Sequence, residues 1–138
     1  MSRGDNTPAS GKEHRARSGT VLIVEDEGIL RLAVSRVLQK KGFCVIEAID
    51  GSSALELVRA HKDEIDVMLL DITLPGVSSR DVFEEARHLR PDLKVILTSA
   101  YSRETVNATF AGLAIEGFIR KPFQMVDLIG LLEEALSA

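Results

Sequence analysis

Residues 20–27 read TVLIVEDE: an unbroken apolar run, Val21–Val24, stops at once on three acids, Glu25, Asp26 and Glu27. Four apolar residues in a row show neither the 3.6-residue rhythm of an amphipathic helix nor the alternation of a half-buried strand. The run therefore fits a strand covered on both faces, as in a parallel sheet. Outward from it, short apolar runs recur at Phe43–Ile46, Val67–Leu70, Val95–Leu97 and Phe118–Ile119. Stripes of helical spacing separate and follow them. Leu30, Val34, Val37 and Leu38 form the first, with Gly42 as its expected C-cap. Asp50-Gly51 marks the turn before the second, where Ser53 and Glu56 have capping-box spacing ahead of Leu57. Val82, Phe83, Ala86 and Leu89 form the third, closed by Pro91. Val106, Phe110 and Leu113 follow a Ser102 cap, and Leu128, Ile129, Leu132 and Leu136 make the last. The order βα repeated five times predicts an α/β fold, a parallel sheet covered on both faces through right-handed crossovers.

A chain of 138 residues suits one domain, and its scarcity of aromatics leaves Val, Ile, Leu and Ala to fill the core. A net charge of −4 argues against a nucleic-acid-binding domain, which would be basic. A single cysteine, Cys44, cannot form an internal disulfide and fits a reducing compartment. No run approaches the roughly 18 apolar residues of a membrane span, and no signal-like apolar segment opens the chain, so the expected location is cytoplasmic with no membrane partner. Residues 1–19 contain Arg3, Lys12, Arg15 and Arg17 against Asp5 and Glu13, with no large aliphatic residue after Met1. They are expected to form a disordered tail ahead of a domain over residues 20–138.

Open parallel sheets place their functional groups outside the carboxyl ends of the strands. There the first strand runs straight into Glu25, Asp26 and Glu27, and the third ends at Asp71. The fourth ends at Thr98 and Ser99, and Arg120, Lys121 and Pro122 follow the fifth. Clustered carboxylates repel unless a cation offsets them, and an all-oxygen donor set selects a hard ion such as Mg²⁺. Cys44, His14, His61 and His88 are scattered and offer no rival metal site; exposure is expected for the histidines. A carboxylate nucleophile with a hard cation, a lysine and a hydroxyl is what phosphoryl transfer requires. Asp71 is expected as nucleophile and Asp26 as metal ligand, with Glu25 acting through water because its longer side chain changes the reach. Lys121 would pair with the phosphate and Ser99 would donate a hydrogen bond to it. Glu27 reads as a solvated acid favouring the next helix N-terminus, and Phe118 reads equally well as core.

Four segments, VLIVEDE (Val21–Glu27), LLDITLPG (Leu69–Gly76), VILTSA (Val95–Ala100) and FIRKPF (Phe118–Phe123), stand in the order and spacing of a known family. From Thr20 to Ala138 the chain resembles a response-regulator receiver domain. The resemblance implies a flavodoxin-like, CheY-like five-stranded sheet of strand order 2-1-3-4-5, with Asp71 as phosphoacceptor and Glu25 and Asp26 as the acidic pair. It also implies that the backbone carbonyl of Thr73 is a metal ligand and that Lys121-Pro122 is cis. Ser99 takes the family's Ser/Thr switch position over Thr98, because small Ala100 follows it and Lys121 lies 22 positions on. Phe118 takes the position of the aromatic ring that turns inward on activation. Two departures stand out. Glu25 occupies a position where many receivers carry Asp. Ser79 occupies one where they usually carry Gly, which costs about 1 kcal/mol if the backbone there is left-handed.

The implied function is that of a signalling switch rather than a turnover enzyme. A histidine kinase or histidine phosphotransfer protein would supply the phosphoryl group. A downstream partner or a second copy would dock on the fourth helix, fifth strand and fifth helix, from about Ser102 to Ala138. Met1 and the loose tail suggest an independent chain, while the stretch Phe110–Phe118 resembles receivers attached to hybrid histidine kinases. A degenerate receiver that binds partners without phosphorylation is the alternative. A haloacid-dehalogenase-type hydrolase would need a second Asp two positions after a nucleophile on the first strand, which Glu25-Asp26-Glu27 lacks. An FMN binder would have a phosphate loop where the three acids stand.

Overall fold

Strands and helices alternate along the chain: β1 (Thr20–Val24), α1 (Gly28–Lys40), β2 (Cys44–Ala48), α2 (Gly51–His61), β3 (Val67–Asp71), α3 (Ser79–Leu89), β4 (Lys94–Ser99), α4 (Arg103–Thr109), β5 (Gly117–Arg120) and α5 (Met125–Ser137). The computed structural model describes residues 19–137, so the expected tail, including His14, lies outside the described residues except for Gly19. All strand pairs are parallel and the order is β2-β1-β3-β4-β5, as the resemblance implies. The chain leaves β1 outward to β2 and returns to β3 on the other side of β1. The direction of winding therefore reverses between β1 and β3, where a crevice opens at the carboxyl rim.

The continuous apolar runs have a direct cause. Leu22 and Val24 face a core shared with Val58, Val82, Phe83 and Ala86 of α2 and α3. Val21 and Ile23 face a second core with Val34, Leu38, Leu128 and Leu132 of α1 and α5. With neither face wet, β1 and β3 are apolar between their ends, and every residue of both strands is buried. The edge strands β2 and β5 are only partly buried. Each fully buried aliphatic side chain contributes roughly 1.5–3 kcal/mol, so this double core anchors the rim on which the site stands.

Three local expectations are corrected. The capping box of α2 lies one turn earlier than Ser53–Glu56: Asp50, in an extended conformation, accepts from the Ser53 N–H at 2.8 Å while the Ser53 hydroxyl reaches back to the Asp50 backbone. The Asp50 carboxylate at the turn reaches the Ser53 amide of the first turn, so the helix starts at Gly51. The apolar stripe Val106-Phe110-Leu113 outruns its helix. Helix α4 stops at Thr109, Phe110 is its C-cap, and Gly112 at φ +82° turns the chain away. Ser79 is not a left-handed loop residue: it opens α3 behind the Ser78 cap, and Gly76 at φ +78° takes the left-handed turn instead. Gly42 does follow α1 at φ +97°. No helix among the described residues is long and apolar enough to cross a membrane.

Candidate functional site

Parallel strands bring all five carboxyl ends to one rim, and the polar residues at or just beyond those ends land there. Asp71 is the last residue of β3 and Ser99 the last of β4, while Glu25 follows β1 and Lys121 follows β5. Backbone bonds continue the sheet into the rim. The Glu25 N–H donates to the Ala48 carbonyl at 3.1 Å and the Lys121 N–H to the Ser99 carbonyl at 2.8 Å. The Lys121-Pro122 peptide is cis.

Glu25 and Asp71 are buried and Asp26 is exposed, and carboxylate oxygens of the three lie within 4.8 Å of one another. Lys121 Nζ donates to Glu25 Oε1 at 2.7 Å and to Asp71 Oδ2 at 3.1 Å. The other oxygen of each acid is held by the turn after its own strand. The Glu27 N–H donates to Glu25 Oε2 at 3.1 Å and the Thr73 N–H to Asp71 Oδ1 at 3.0 Å. Burial raises the Glu25 pKa above its usual range; the Lys121 and Glu27 hydrogen bonds only partly oppose this, and the neighbouring Asp71 charge adds to it. Burial alone would lower the Lys121 pKa, but its bonds to Glu25 and Asp71 outweigh it and hold the ammonium above the ordinary lysine value. The lysine is thus firmly charged, and it bonds most closely to Glu25, the acid whose burial disfavours its ionised form.

Of the residues singled out in the sequence, Glu25, Asp26, Asp71 and Lys121 form one cluster. Ser99 is fully buried beside it, its hydroxyl accepting from the Tyr101 N–H at 2.8 Å. Thr98 stands opposite Asp71 in the β3–β4 register as a buried strand residue. Thr73 is exposed in the turn after Asp71. Phe118 lies apart on β5, half-buried, with the Arg103 guanidinium 5.4 Å from its ring centre. Glu27 is exposed and makes no side-chain cap for α1. His88 is exposed, whereas His61 is half-buried and pairs with Glu64 at 2.8 Å; neither belongs to the acidic cluster.

Two participants escaped sequence reasoning. The Ser79 hydroxyl donates to the Asp71 carbonyl at 2.7 Å, tying the start of α3 to the end of β3. Arg31 Nη1 donates to the Glu25 carbonyl at 2.9 Å, while its Nε meets Glu47 Oε1 at 3.0 Å. A signal for Arg31 existed: a cation in the first turn of a helix opposes the helix dipole and asks for a reason.

The donor set fits a hard divalent cation, because three carboxylates converge on a partly open rim with no sulfur or imidazole among them. The comparisons with known proteins agree with this architecture. The model of the family described as "Response regulator receiver domain" matches residues 21–133. The sensor kinase CckA of Brucella abortus is 33% identical over 97% of this chain, and the chain spans 15% of that kinase's length. The crystal structure of the receiver domain from the hybrid histidine kinase CckA is 28% identical, covering 86% of this chain and 99% of its own, with a TM-score of 0.73. In the CheX–CheY–BeF3–Mg²⁺ complex from Borrelia burgdorferi, the matched chain is 25% identical, covering 84% of this chain and 87% of its own, with a TM-score of 0.75.

Proposed function

The chain belongs to the response regulator receiver domain family of two-component systems, and from that premise we propose that it accepts a phosphoryl group on Asp71 in a Mg²⁺-dependent reaction. The observation that carries this reading is the Lys121 ammonium shared between Asp71 and Glu25, beside an exposed Asp26, at the switch point of the sheet. Asp26, Asp71 and the Thr73 backbone carbonyl would hold the cation, and Glu25 would reach it through water. When bound, the cation supplies charge neutralisation for the phosphoryl oxygens.

The donor is a phosphohistidine of a histidine kinase or phosphotransfer protein. An Asp71 carboxylate oxygen forms a bond to phosphorus as the N–P bond breaks, and the departing imidazole takes a proton from solvent. Lys121 exchanges one carboxylate oxygen for a phosphoryl oxygen, and the Ser99 hydroxyl turns from the Tyr101 N–H to donate to another. Water later cleaves the acyl phosphate and restores Asp71, so the chain modifies and resets itself without turning over a substrate pool. Phosphorylation adds roughly −1.5 to −2 charges at neutral pH. The movement of Ser99 leaves room for Phe118 to turn inward from beneath Arg103. The α4–β5–α5 face then changes shape and docks a protein partner or a second copy. Service as the receiver of a hybrid histidine kinase is a second reading, favoured by the likeness to CckA, and it leaves the Asp71 chemistry unchanged.

The test is intact-protein mass after incubation with acetyl phosphate, with and without Mg²⁺, on wild type and Asp71→Asn. The expected result is a phosphate adduct that needs Mg²⁺ and vanishes in the variant. Beryllofluoride binding, read by fluorine NMR, covers the case of rapid hydrolysis. Silence in both would overturn the proposal in favour of a receiver that binds partners unphosphorylated.

A further inference from the structure

Arg31 is in the wrong place for a surface arginine. It is the fourth residue of α1, whose first turn contains no acid and whose N-cap, Glu27, makes no side-chain hydrogen bond. A cation there faces the positive end of the helix dipole, a locally unfavourable choice. Its side chain is nevertheless only 19% exposed. The guanidinium is used at two ends: Nη1 donates to the Glu25 backbone carbonyl at 2.9 Å, and Nε pairs with Glu47 on the edge strand β2 at 3.0 Å. On its other side, the Glu25 N–H is fixed to the Ala48 carbonyl of the same strand at 3.1 Å. The backbone carrying Glu25 and Asp26 is therefore braced against β2 on both sides of Glu25, and the brace depends on a planar fork that a point-charge ammonium cannot reproduce.

We infer that Arg31 is a positioning residue, holding the β1–α1 turn so that Glu25 and Asp26 are presented together to the cation. This rests on the Mg²⁺ site proposed above. The sign of one measurement separates it from a bystander role. Removing a positive charge near three carboxylates should, by Coulomb attraction alone, tighten divalent-cation binding. Releasing a braced ligand turn should weaken it, and loss of an outer partner of metal ligands typically costs about 10-fold or more in affinity.

The experiment is calorimetric Mg²⁺ titration of wild type, Arg31→Ala, Arg31→Lys and Glu47→Gln, with Asp71→Asn as the control for the site. Amide exchange of residues 25–27 is followed in the metal-free proteins. The expected result is about 10-fold weaker Mg²⁺ binding in Arg31→Ala, with faster exchange at residues 25–27 while far-ultraviolet circular dichroism is unchanged. Partial recovery is expected in Arg31→Lys, and a smaller loss of the same sign in Glu47→Gln, which keeps the arginine but removes its charged strand anchor. Since losing that carboxylate also weakens cation attraction, the accompanying faster exchange at residues 25–27 is the reading that counts there. Arg31→Ala binding Mg²⁺ as tightly as wild type, or more tightly, overturns the inference. If Arg31→Ala does not fold, unchanged affinity in both Arg31→Lys and Glu47→Gln overturns it equally. Wild type that binds no Mg²⁺, or binds it equally in Asp71→Asn, sinks the cation site itself and this inference with it.

Discussion

Replacing Lys121 by Met takes the shared ammonium away from Glu25 and Asp71 while keeping most of the aliphatic packing. At 2.7 and 3.1 Å, the two contacts each represent about 5–6 kcal/mol of Coulomb attraction at an effective dielectric of about 20. Desolvation of the buried partners cancels most of it. Breaking a fully buried pair costs about 3–5 kcal/mol because charge is left uncompensated. Here the lysine side chain keeps 20% of its surface in solvent, so screening discounts that figure. The loss at neutral pH is therefore about 2–3 kcal/mol. In a domain of this size, that lowers the unfolding midpoint by about 10 °C.

The pH dependence fixes the cause. Without the ammonium, Glu25 loses the hydrogen bond that opposes its burial and its pKa rises further above the unfolded value, so the folded variant binds more protons than the unfolded chain. Its stability then rises as pH falls from neutral toward the carboxylate range, and the gap to wild type narrows. In wild type, the raised Lys121 pKa means that its stabilisation is fully present below the ordinary lysine value. That stabilisation is lost as pH climbs through the raised folded value. Mg²⁺ should stabilise the variant more than wild type, because the three acids no longer share the site with a cation. Thermal unfolding by circular dichroism across pH, with and without Mg²⁺, reads all three effects. A variant as stable as wild type at neutral pH, or a gap that stays constant on acidification, would refute the reasoning.

Other perturbations have equally definite outcomes. Ser79→Gly removes the buried hydroxyl bond to the Asp71 carbonyl and loosens the first turn of α3, so it should destabilise by about 1–2 kcal/mol in urea unfolding; a gain in stability would show that the backbone there is strained after all. Asp50→Ala should lower the unfolding midpoint by removing the α2 cap. The Ser53 hydrogen bonds depress the Asp50 pKa, so this stabilisation is present above the ordinary Asp range and lost as pH falls through the lowered folded value; the two melting curves should converge in acid. Arg80→Ala removes the guanidinium that caps the Thr109 and Ala111 carbonyls from the neighbouring helix. Amide exchange should quicken at the end of α4 and leave α2 unchanged; equal exchange in both would deny Arg80 that role.

The sheet was legible in the sequence because burial on both faces writes an unbroken apolar run, as at Val21–Val24 and Val67–Leu70. The polar residues that also pair, Thr20 and Lys94, were invisible to that pattern, since only main-chain bonds place them in the strands. Phe43 lies one residue ahead of β2 despite its place in an apolar run, its ring in the core beside α1 and its N–H donating to the Leu38 carbonyl at 3.0 Å. The acids and Lys121 were legible for a topological reason: parallel strands deliver the residues at their carboxyl ends to one rim. Ser79 and Arg31 were not, because each acts through a backbone carbonyl, and a carbonyl acceptor leaves no mark on residue spacing. The α2 cap was misplaced because Asp50-Gly51 and Ser53–Glu56 are both sound start signals, and only the path of the turn decides between them.

The most direct test of Asp71 as phosphoacceptor is chemical trapping of the acyl phosphate. The protein is treated with acetyl phosphate and Mg²⁺, reduced with borohydride, digested and sequenced by mass spectrometry. Reduction converts a phosphorylated aspartate to homoserine and leaves free carboxylates intact. Homoserine at position 71 alone, absent without Mg²⁺, is the predicted result. Homoserine at Asp26, or a phosphate adduct on the intact protein with no homoserine anywhere, would contradict it.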